Sequence, residues 1–375
     1  MSSSSNRPVN SVDVARHAGV SQTTVSFVMR GEAEKRKISA KTAGRVLEVA
    51  KELHYRPNAI ARNLRRQRST TIGLLVTDIQ LGWTWDVLCG MNEVLDSTEL
   101  TPFISVHQNE PKRARKELLS CIERRDEGII CQPAPGQGDL YTSVQQAGIP
   151  LIFLGDRPED TPEVNFIGWD ADPAVRMAIE HLVATGRKRI AFAGSDTSMQ
   201  MNQVRYAAYV AALREAGLER NDAWIARFPL ERCNPHFLRL SLGQIFAPGA
   251  KHPDALFALD DSMALAVLEL FHERGIRVPD DVAVIGMGDL LMTRNSGISL
   301  STVKEPREEM GRAAAELMLD LIDDPDKSPV HRLIPCEELK ARRTTQPGGG
   351  AGEASNTVMD VLLERTADEG RNQEV

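Results

Sequence analysis

The chain has 375 residues, too many for one ordinary domain, and its 42% hydrophobic and 26% charged residues are typical of a folded globular protein. It contains no run of about 18 apolar residues, and its first residues lack the apolar part of a secretory signal, so we expect a cytoplasmic protein without membrane contact. Residues 1–70 hold 14 Lys/Arg and 5 Asp/Glu, whereas the remainder holds 31 Lys/Arg and 47 Asp/Glu. The first segment is thus basic and the rest acidic, which predicts that only the first segment binds a polyanion.

Three short helices are predicted at the start of the chain, after residues 1–8, which favour disorder. Ser11 is a plausible N-cap for the first helix, and Ser21 opens a second helix in SQTTVSFVMR. A charged loop, GEAEKRK, leads to a third helix over about residues 39–53. The basic residues lie between helical apolar positions, which indicates a folded basic unit instead of a disordered basic tail.

A short basic segment, YRPNAIARNLRRQRST, follows the three helices. Pro57 suits the first turn of a helix, because the missing N–H has no partner there in any case. The segment is too short to form a stable helix in isolation.

From Thr71 onward the pattern alternates between strands and helices. Continuous apolar strands joined by helical crossovers indicate parallel sheets covered on both faces, and about ten such units favour two lobes over one. The predicted strands are TIGLLV, FISV, GIICQP, PLIFLG, NFIGW, RIAFAG, ALFAL and VAVIG, and the predicted helices include residues 86–96, 171–184, 202–216 and 262–274.

Polar residues follow many of these strands. Open α/β sheets bind ligands at the carboxyl ends of their strands. Any one of these residues alone is more readily interpreted as a helix N-cap, whereas several of them facing one cleft favour a ligand site. The residues are Asp78, Asp156, Asp170, Ser195, Asp260 and Asp289.

Motifs of catalysis and metal binding are missing from the sequence. There is no nucleophile elbow, P-loop or G-x-G-x-x-G after a strand, and the eight histidines do not pair at ligand spacing. The five cysteines are scattered without a C-x-x-C pair, which favours reduced thiols over disulfides or a metal site. We therefore expect neither an enzyme nor a cofactor.

An ordered series of segments resembles the lactose/galactose repressor (LacI/GalR) family over about residues 9–346. VDVARHAGVSQTTVS is similar to the family's DNA-binding head, and LHYRPNAIARNLR to the end of its third helix and its hinge. GIPLIFLGDRP, HLVATGRKRIAFAG, PDALFALDDSMALA and LSTVKEPREEMGRAAAELML follow the family's core in order. A helix-turn-helix pattern alone is a weak signal, whereas this series is specific.

The resemblance implies an all-α helix-turn-helix head with a hinge helix, and a bilobed periplasmic-binding-protein-like α/β core of two flavodoxin-like subdomains. Its boundaries would be a head over residues 1–55, a hinge over 56–70, a core over 71–346 and a flexible tail over 347–375. Within the core, the N-subdomain would comprise about 71–167 plus 299–331, and the C-subdomain about 168–298 plus 332–346.

In the head, the resemblance places Gln22, Thr23 and Phe27 at the base-reading positions of the second helix. Gln22 suits adenine, and Thr23 suits a hydrogen bond or a thymine methyl. Phe27 departs from the family, where a basic or polar residue is usual; its ring would contact a thymine methyl or turn into the head's own core. Ser21, Thr24 and Ser26 would contact phosphate or merely cap and solvate the helix.

In the hinge, Leu64 matches the family's minor-groove wedge, which kinks the central base step. Without the family it would read as a buried leucine, yet only Ile60 lies one turn away. The phosphate or groove contacts flanking the wedge would come from Asn58, Arg62 and Arg65.

In the core, the resemblance places Trp83 and Thr84 against a ligand, with Arg205 and Asp261 gripping its hydroxyls. Trp85 lies nearby and could point to the core. Further candidates are Asp156, Asp170 and Asp289. The family's aspartate before Asp289 is Gly288 here, and FPLERCNPHF does not align at the family's aromatic position, which leaves the ligand open.

These features predict a sequence-specific transcriptional regulator, a repressor that binds a palindromic double-stranded DNA operator as a homodimer; a tetramer is not favoured. A small-molecule effector, with a carbohydrate the leading candidate, would control it from the cleft of the core. The alternatives are control by a partner protein or by another ligand such as a nucleoside.

Overall fold

A computed structural model of the chain divides it into two compact units, Met1–Thr70 and Thr71–Val375. The structure describes residues 9–55, 69–79, 82–158, 164–196, 200–229, 235–247, 252–294, 297–336 and 338–346.

Residues 9–55 of the first unit form three helices around a small core of valine and alanine side chains. The helices are α1 (Ser11–Ala18), α2 (Gln22–Met29) and α3 (Ala40–Glu52), and the buried residues include Val14, Val25, Val28, Val46 and Ala50. The three predicted helices are therefore confirmed.

Side-chain caps set where these helices begin. Ser21 and Ser39 cap α2 and α3 through hydrogen bonds from the backbone N–H groups of Thr24 and Thr42, as the sequence predicts. The cap of α1 was expected at Ser11, but it is Asn10. The Asn10 side chain accepts hydrogen bonds from backbone N–H groups of α1 and forms a capping box with Asp13.

The described residues of the second unit form two six-stranded sheets, and the predicted α/β architecture with two lobes is confirmed. In the first sheet the strand order is β11-β5-β4-β3-β1-β2, with all pairs parallel. Its strands are β1 (Thr71–Val76), β2 (Thr101–Val106), β3 (Gly128–Cys131), β4 (Leu151–Leu154), β5 (Asn165–Trp169) and β11 (His331–Ile334). Its helices are α4 (Trp83–Leu95), α5 (Pro111–Arg124), α6 (Gly138–Gln146) and α11 (Arg307–Asp323).

The second sheet repeats this topology in the order β12-β10-β9-β8-β6-β7, with an antiparallel edge pair between β10 and β12. Its strands are β6 (Ile190–Asp196), β7 (Ile225–Pro229), β8 (Ala255–Ala258), β9 (Ala283–Met287), β10 (Ser301–Val303) and β12 (Leu339–Lys340). Its helices are α7 (Ala171–Ala184), α8 (Gln200–Glu215), α9 (Pro235–Ile245) and α10 (Asp261–Glu273). In both sheets the chain order reverses beside the first strand, at β1 and at β6, and doubly wound sheets bind ligands at such points.

The chain passes between the two sheets three times: after β5, after β10 and after β11. The second crossing was expected before residue 299, but β10 pairs with β9 and so belongs to the second sheet. The third was expected before residue 332, but β11 pairs with β5 in the first sheet. β11 is the edge strand of the first sheet, and β10 lies between β9 and the edge strand β12 of the second. Both strands are short, and local hydrophobicity alone does not reveal them.

Helices α4 and α11 pack unusually closely because each has a glycine at the contact. A Cβ atom on Gly90 would overlap the carbonyl oxygen of Glu308, and one on Gly311 would overlap that of Val87. This close approach brings the first turn of α11, with Arg307, beside the first turn of α4.

The described part of the chain contains no helix long and apolar enough to cross a membrane. Four of the cysteines are free thiols: Cys89, Cys121, Cys131 and Cys336. Burial raises the pKa of the Cys121 and Cys336 thiols to about 12, which keeps both protonated near neutral pH. Cys233 lies outside the described residues.

Candidate functional site

The predicted base-reading residues lie along one exposed side of α2. Gln22 and Thr23 are exposed at its first turn, and Gln22 Nε2 donates a hydrogen bond of 2.8 Å to the hydroxyl of Ser11. Phe27 follows Thr23 by four residues, so the two share a face of the helix. This face presents a carboxamide, a hydroxyl and an aromatic ring in succession.

Two of the hydroxyls assigned to phosphate contacts, those of Ser21 and Thr24, already have local partners. Ser21 Oγ accepts the backbone N–H of Thr24 at 3.0 Å and lies 2.9 Å from Thr24 Oγ1. Ser21 is thus the N-cap of α2, and Ser26 is half-buried in the same helix. Contacts of these three residues with DNA remain a prediction.

Phe27 is half-buried and is absent from the apolar cluster that forms the core of the first unit. Its ring instead lies near two guanidinium groups: the Cζ atoms of Arg30 and Arg36 are 5.1 and 4.5 Å from the ring centroid. Neither predicted environment of Phe27, the thymine methyl or the core, includes this contact.

The hinge candidates Asn58, Arg62, Leu64 and Arg65 lie outside the described residues, and their roles remain predictions from the resemblance.

In the second unit, a chain of charges, three of them buried, links the two sheets at the carboxyl ends of their strands. The Arg205 guanidinium, on α8, donates from one terminal nitrogen to Glu305 Oε1 at 3.0 Å. Glu305 Oε2 accepts from Arg307 Nε at 3.0 Å, and the Arg307 guanidinium also lies 3.4 Å from a carboxylate oxygen of Asp86 on α4. The carboxyl group of Glu305 is nearly inaccessible, and its two arginine partners keep its pKa below the ordinary value despite burial.

Arg205 is buried between polar groups and an aromatic ring. The guanidinium Cζ lies 4.8 Å from the ring centroid of Trp169, and a terminal nitrogen donates to the carbonyl oxygen of Leu259 at 3.0 Å. Arg205 is only 9% exposed, and its Nε is one of the few buried side-chain donors among the described atoms that have no hydrogen-bond partner. An unpaired buried donor is costly, so an incoming acceptor would be stabilised there.

Asp261, predicted to grip a ligand, is fully buried and already saturated by the protein. Its carboxylate accepts hydrogen bonds from Thr302 Oγ1 at 2.6 Å and from the backbone N–H of Leu290 at 2.8 Å, with Thr293 Oγ1 at 3.3 Å. Burial raises the pKa of Asp261 to about 6, partly offset by these hydrogen bonds. Asp261 therefore ties α10 to β10 and to the segment after β9.

The neighbouring Asp260 is better placed to meet a ligand. It is partly exposed and caps α10 by accepting the backbone N–H of Met263 at 2.8 Å. Burial of its carboxyl group raises the pKa of Asp260, and the nearby positive charge of Arg205 opposes the shift. The strand-end pattern singled out Asp260, whereas the family resemblance pointed to Asp261.

The remaining aspartate candidates have structural partners. Asp170 caps α7, and Asp156 Oδ1 accepts the backbone N–H of the next residue at 2.8 Å. Asp289 is buried, has a positive φ of 54°, and pairs with Arg342 at 2.5 Å and Arg294 at 3.2 Å. Asp289 thus fixes the loop after β9 and has little free capacity for a ligand.

Trp83 and Thr84 open α4 beside β1. The buried Thr84 hydroxyl donates to the carbonyl oxygen of Asp78 at 2.7 Å, whereas the half-buried Trp83 ring packs near Gly155 at the end of β4. Trp85 does not enter the core, because it is 63% exposed.

Sequence reasoning missed four residues of this site: Asp86, Trp169, Glu305 and Arg307. Glu305 and Arg307 flank Pro306 directly after β10, a strand of three residues that the apolar pattern does not reveal. Trp169 was recognised only as the end of a strand. Its position before Asp170, itself at a strand's carboxyl end, is the signal that could have marked it.

Two family models match the chain. Residues 12–58 match the model "Bacterial regulatory proteins, lacI family", and residues 179–345 match "Periplasmic binding protein-like domain". The HTH-type transcriptional repressor PurR of Photobacterium profundum is 27% identical over 313 residues, which cover 83% of this chain and 91% of the relative.

Two solved structures extend the likeness through most of the chain. The lac repressor dimer bound to operator and the anti-inducer ONPF is 26% identical, with a TM-score of 0.76 over 90% of this chain and 99% of that one. The transcriptional regulator CelR in complex with cellobiose is 25% identical, with a TM-score of 0.66 over 90% of this chain and 99% of that one.

Proposed function

Because the chain belongs to the lacI family of bacterial regulatory proteins, we propose that it represses transcription from a palindromic operator as a homodimer. It is a DNA-binding transcriptional regulator with an effector-binding core, not an enzyme. Two identical helix-turn-helix heads require two half-sites related by two-fold symmetry. The basic charge of residues 1–70 supports DNA as the partner of this unit. A DNA-binding protein of this kind acts in the compartment that holds the chromosome.

On the DNA side, Gln22 and Thr23 read base edges in the major groove from the exposed face of α2. Leu64 of each protomer enters the minor groove at the centre of the operator and kinks it, and Asn58, Arg62 and Arg65 bind beside it. The support for the Leu64 assignment is the family resemblance of the hinge segment.

On the effector side, the ligand is a small, uncharged, hydroxyl-rich molecule, with a carbohydrate as the leading class. The observation that carries this proposal is Arg205: a buried guanidinium against the Trp169 ring, with an unpaired Nε. An aromatic face suits the apolar side of a sugar ring, and the arginine and the Asp260 carboxylate suit its hydroxyls.

The charges of the pocket favour an uncharged ligand. Glu305 already neutralises Arg205, and Asp260 and Asp261 add further negative charge beside the pocket. A phosphorylated ligand would meet this acidic surround without an unpaired cation to receive it. The cellobiose complex of the CelR relative agrees with a carbohydrate.

Effector binding would reach the DNA-binding unit by changing how the two subdomains of the core are held. The ion pairs from Arg205 through Glu305 to Arg307 and Asp86 connect α8 with α11 and α4. A ligand that takes hydrogen bonds from Arg205 binds one arrangement of these groups more tightly than another, and only such a difference in affinity shifts a conformational equilibrium.

The proposal is tested by calorimetric titration of the full-length chain with a panel of neutral mono- and disaccharides, including cellobiose, and of nucleosides. A saccharide should bind the wild type and weaken its hold on the DNA duplex selected by the protein from a random pool. Arg205→Lys and Asp260→Asn should lose this response while retaining DNA binding. A nucleoside response would replace the carbohydrate assignment, and a normal response in both variants would place the effector elsewhere.

Asp281→Asn is the matched control for charge. Asp281 lies at the surface of the same subdomain, paired with Arg277 at 2.7 Å, and its loss should leave the ligand response unchanged.

A further inference from the structure

We propose that Arg30 and Arg36, held on the ring of Phe27, form an additional DNA-binding site at the end of α2. This inference rests on the proposed DNA-binding role of the exposed face of α2. It adds Arg30 and Arg36 to the residues that the family resemblance assigns to DNA. Phe27 is then a positioning residue that acts through the two arginines.

The geometry at Phe27 fits a stacking platform. Both guanidinium carbons lie within about 6 Å of the ring centroid, the range in which an aromatic face attracts a cation. The ring is half-buried and does not belong to the core of the unit. The two guanidinium groups therefore lie against a ring at the surface of the unit, outside its core.

The loop after α2 folds back so that Arg36 reaches the ring. The backbone N–H of Glu32 donates to the carbonyl oxygen of Phe27 at 3.0 Å, and that of Arg36 donates to the carbonyl oxygen of Glu32 at 3.0 Å. Gly31 permits this reversal, because its φ of 73° favours glycine. The charged loop GEAEKRK is thus an ordered structure that presents its arginine, Arg36, beside α2.

Glu32 holds the two guanidinium groups together in the free protein. Its carboxylate lies 3.1 Å from Arg30 Nε and 3.8 Å from Arg36 Nε. All three side chains remain accessible, at 32% for Arg30 and Glu32 and 53% for Arg36. A guanidinium pairs with phosphate oxygens, or with the O6 and N7 acceptors of guanine, through the same planar donors.

The position of the ring on α2 directs this site toward DNA. Phe27 shares a helix face with Thr23, so the arginines on the ring extend the Gln22 and Thr23 surface by about one turn. A phenyl ring at this position offers no hydrogen-bond donor, and the two arginines supply the donors that it lacks.

A double-mutant cycle on the full-length chain tests the inference. Affinity is measured for the duplex that the wild type selects from a random pool, with Phe27→Leu, Arg36→Gln and the double variant. Each single change should weaken binding by about two- to thirtyfold, and the double variant by no more than the larger single change. Phe27→Tyr retains the ring and should bind like the wild type.

Arg16→Gln is the matched control, because Arg16 is an exposed arginine of α1 that pairs with Asp13 and has the same charge. If Arg30→Gln and Arg36→Gln weaken binding no more than this control, the site is refuted, and that comparison does not depend on how well Phe27→Leu folds. The site would also be refuted if the affinity loss of the double variant equalled the product of the two single losses, because Phe27 would then act independently of Arg36.

A selection experiment with Arg36→Gln identifies the acceptor. If the selected motif is unchanged and the slope of affinity against salt concentration falls by about one counterion, the acceptor is a phosphate. If the variant loses its base preference at one position per half-site, the acceptor is guanine. Either result supports the site. If the wild type itself selects no motif, the proposed DNA-binding function fails, and the arginine site fails with it.

Discussion

The helix-turn-helix unit and the proposed effector pocket use arginine in opposite ways. The ion pairs beside the Phe27 ring remain accessible to water; they join Glu32 to Arg30 and Arg36. In the pocket, Arg205, Glu305 and Arg307 are each less than 10% exposed and pair with one another. The first arrangement can exchange its partners for DNA at little cost, whereas the second commits its charges to the fold.

In the proposed function, this contrast separates the residues that bind DNA from those that respond to the effector. Exposed pairs contribute little to stability, so they are free to serve recognition. Buried pairs are a conformational constraint, because removal of one partner leaves an uncompensated charge. A ligand that alters the hydrogen bonds of Arg205 therefore acts on a group to which the structure is sensitive.

The largest effect is expected from Glu305→Ala. The substitution would leave Arg205 and Arg307 buried without their shared partner, and loss of one member of a buried pair costs about 3–5 kcal/mol of stability. Urea unfolding of the full-length chain measures this change.

Glu338→Gln removes a glutamate with two exposed lysine partners, Lys304 and Lys340, and should change the free energy of unfolding little. If the two variants were equally stable, the distinction between buried and exposed pairs would not hold for this protein.

Asp261 makes the stability of the second unit depend on pH. Its pKa is raised to about 6 in the folded state, above the ordinary value near 4. At pH values between these two, the folded state binds more protons than the unfolded state. Stability through this group therefore rises as pH falls from 7 to 5, by about 1 kcal/mol.

Comparison with Asp261→Asn isolates this contribution from those of Asp260 and Glu305. The wild type should gain free energy of unfolding relative to the variant when urea titrations at pH 7 are repeated at pH 5. A difference between the two proteins that is constant with pH would show that Asp261 titrates normally.

A smaller effect is expected from Ser21→Ala in the helix-turn-helix unit. Ser21 caps α2, and loss of a serine cap costs about 1 kcal/mol. Ser39→Ala removes the equivalent cap of α3 and should lower the thermal midpoint similarly. If Ser21→Ala weakens DNA binding more than Ser39→Ala does, the Ser21 hydroxyl also contacts DNA; equal losses restrict it to capping.

The sequence predicted the framework of the chain better than it predicted the pocket. Residues 171–184 form a helix as expected, and the apolar runs TIGLLV and NFIGW form β1 and β5, because long periodic or continuous apolar segments are strong local signals. The strands β10 and β11 were missed as sheet members, since they are short and their pairing partners lie far away in the chain.

The pocket depends on contacts that no local pattern encodes. Asp260 and Asp261 are adjacent and chemically identical, yet one caps a helix near Arg205 and the other is saturated by Thr302 and Leu290. Likewise, the loop GEAEKRK was recognised as charged, but the stacking of Arg36 on Phe27 follows from how the loop reverses. In both cases tertiary geometry decides which of several suitable side chains is available.

The central claim, that this chain is a dimeric operator-binding repressor whose exposed basic unit binds DNA, is tested most directly by one measurement. The affinity of the full-length chain for its selected palindromic duplex is determined across a series of salt concentrations, with a duplex carrying a single half-site in parallel. We predict that the logarithm of the association constant falls linearly with the logarithm of salt concentration, with a slope that reflects several phosphate contacts, and that the half-site duplex binds far more weakly. Affinity that is independent of salt, or equal for one half-site and two, would contradict the account.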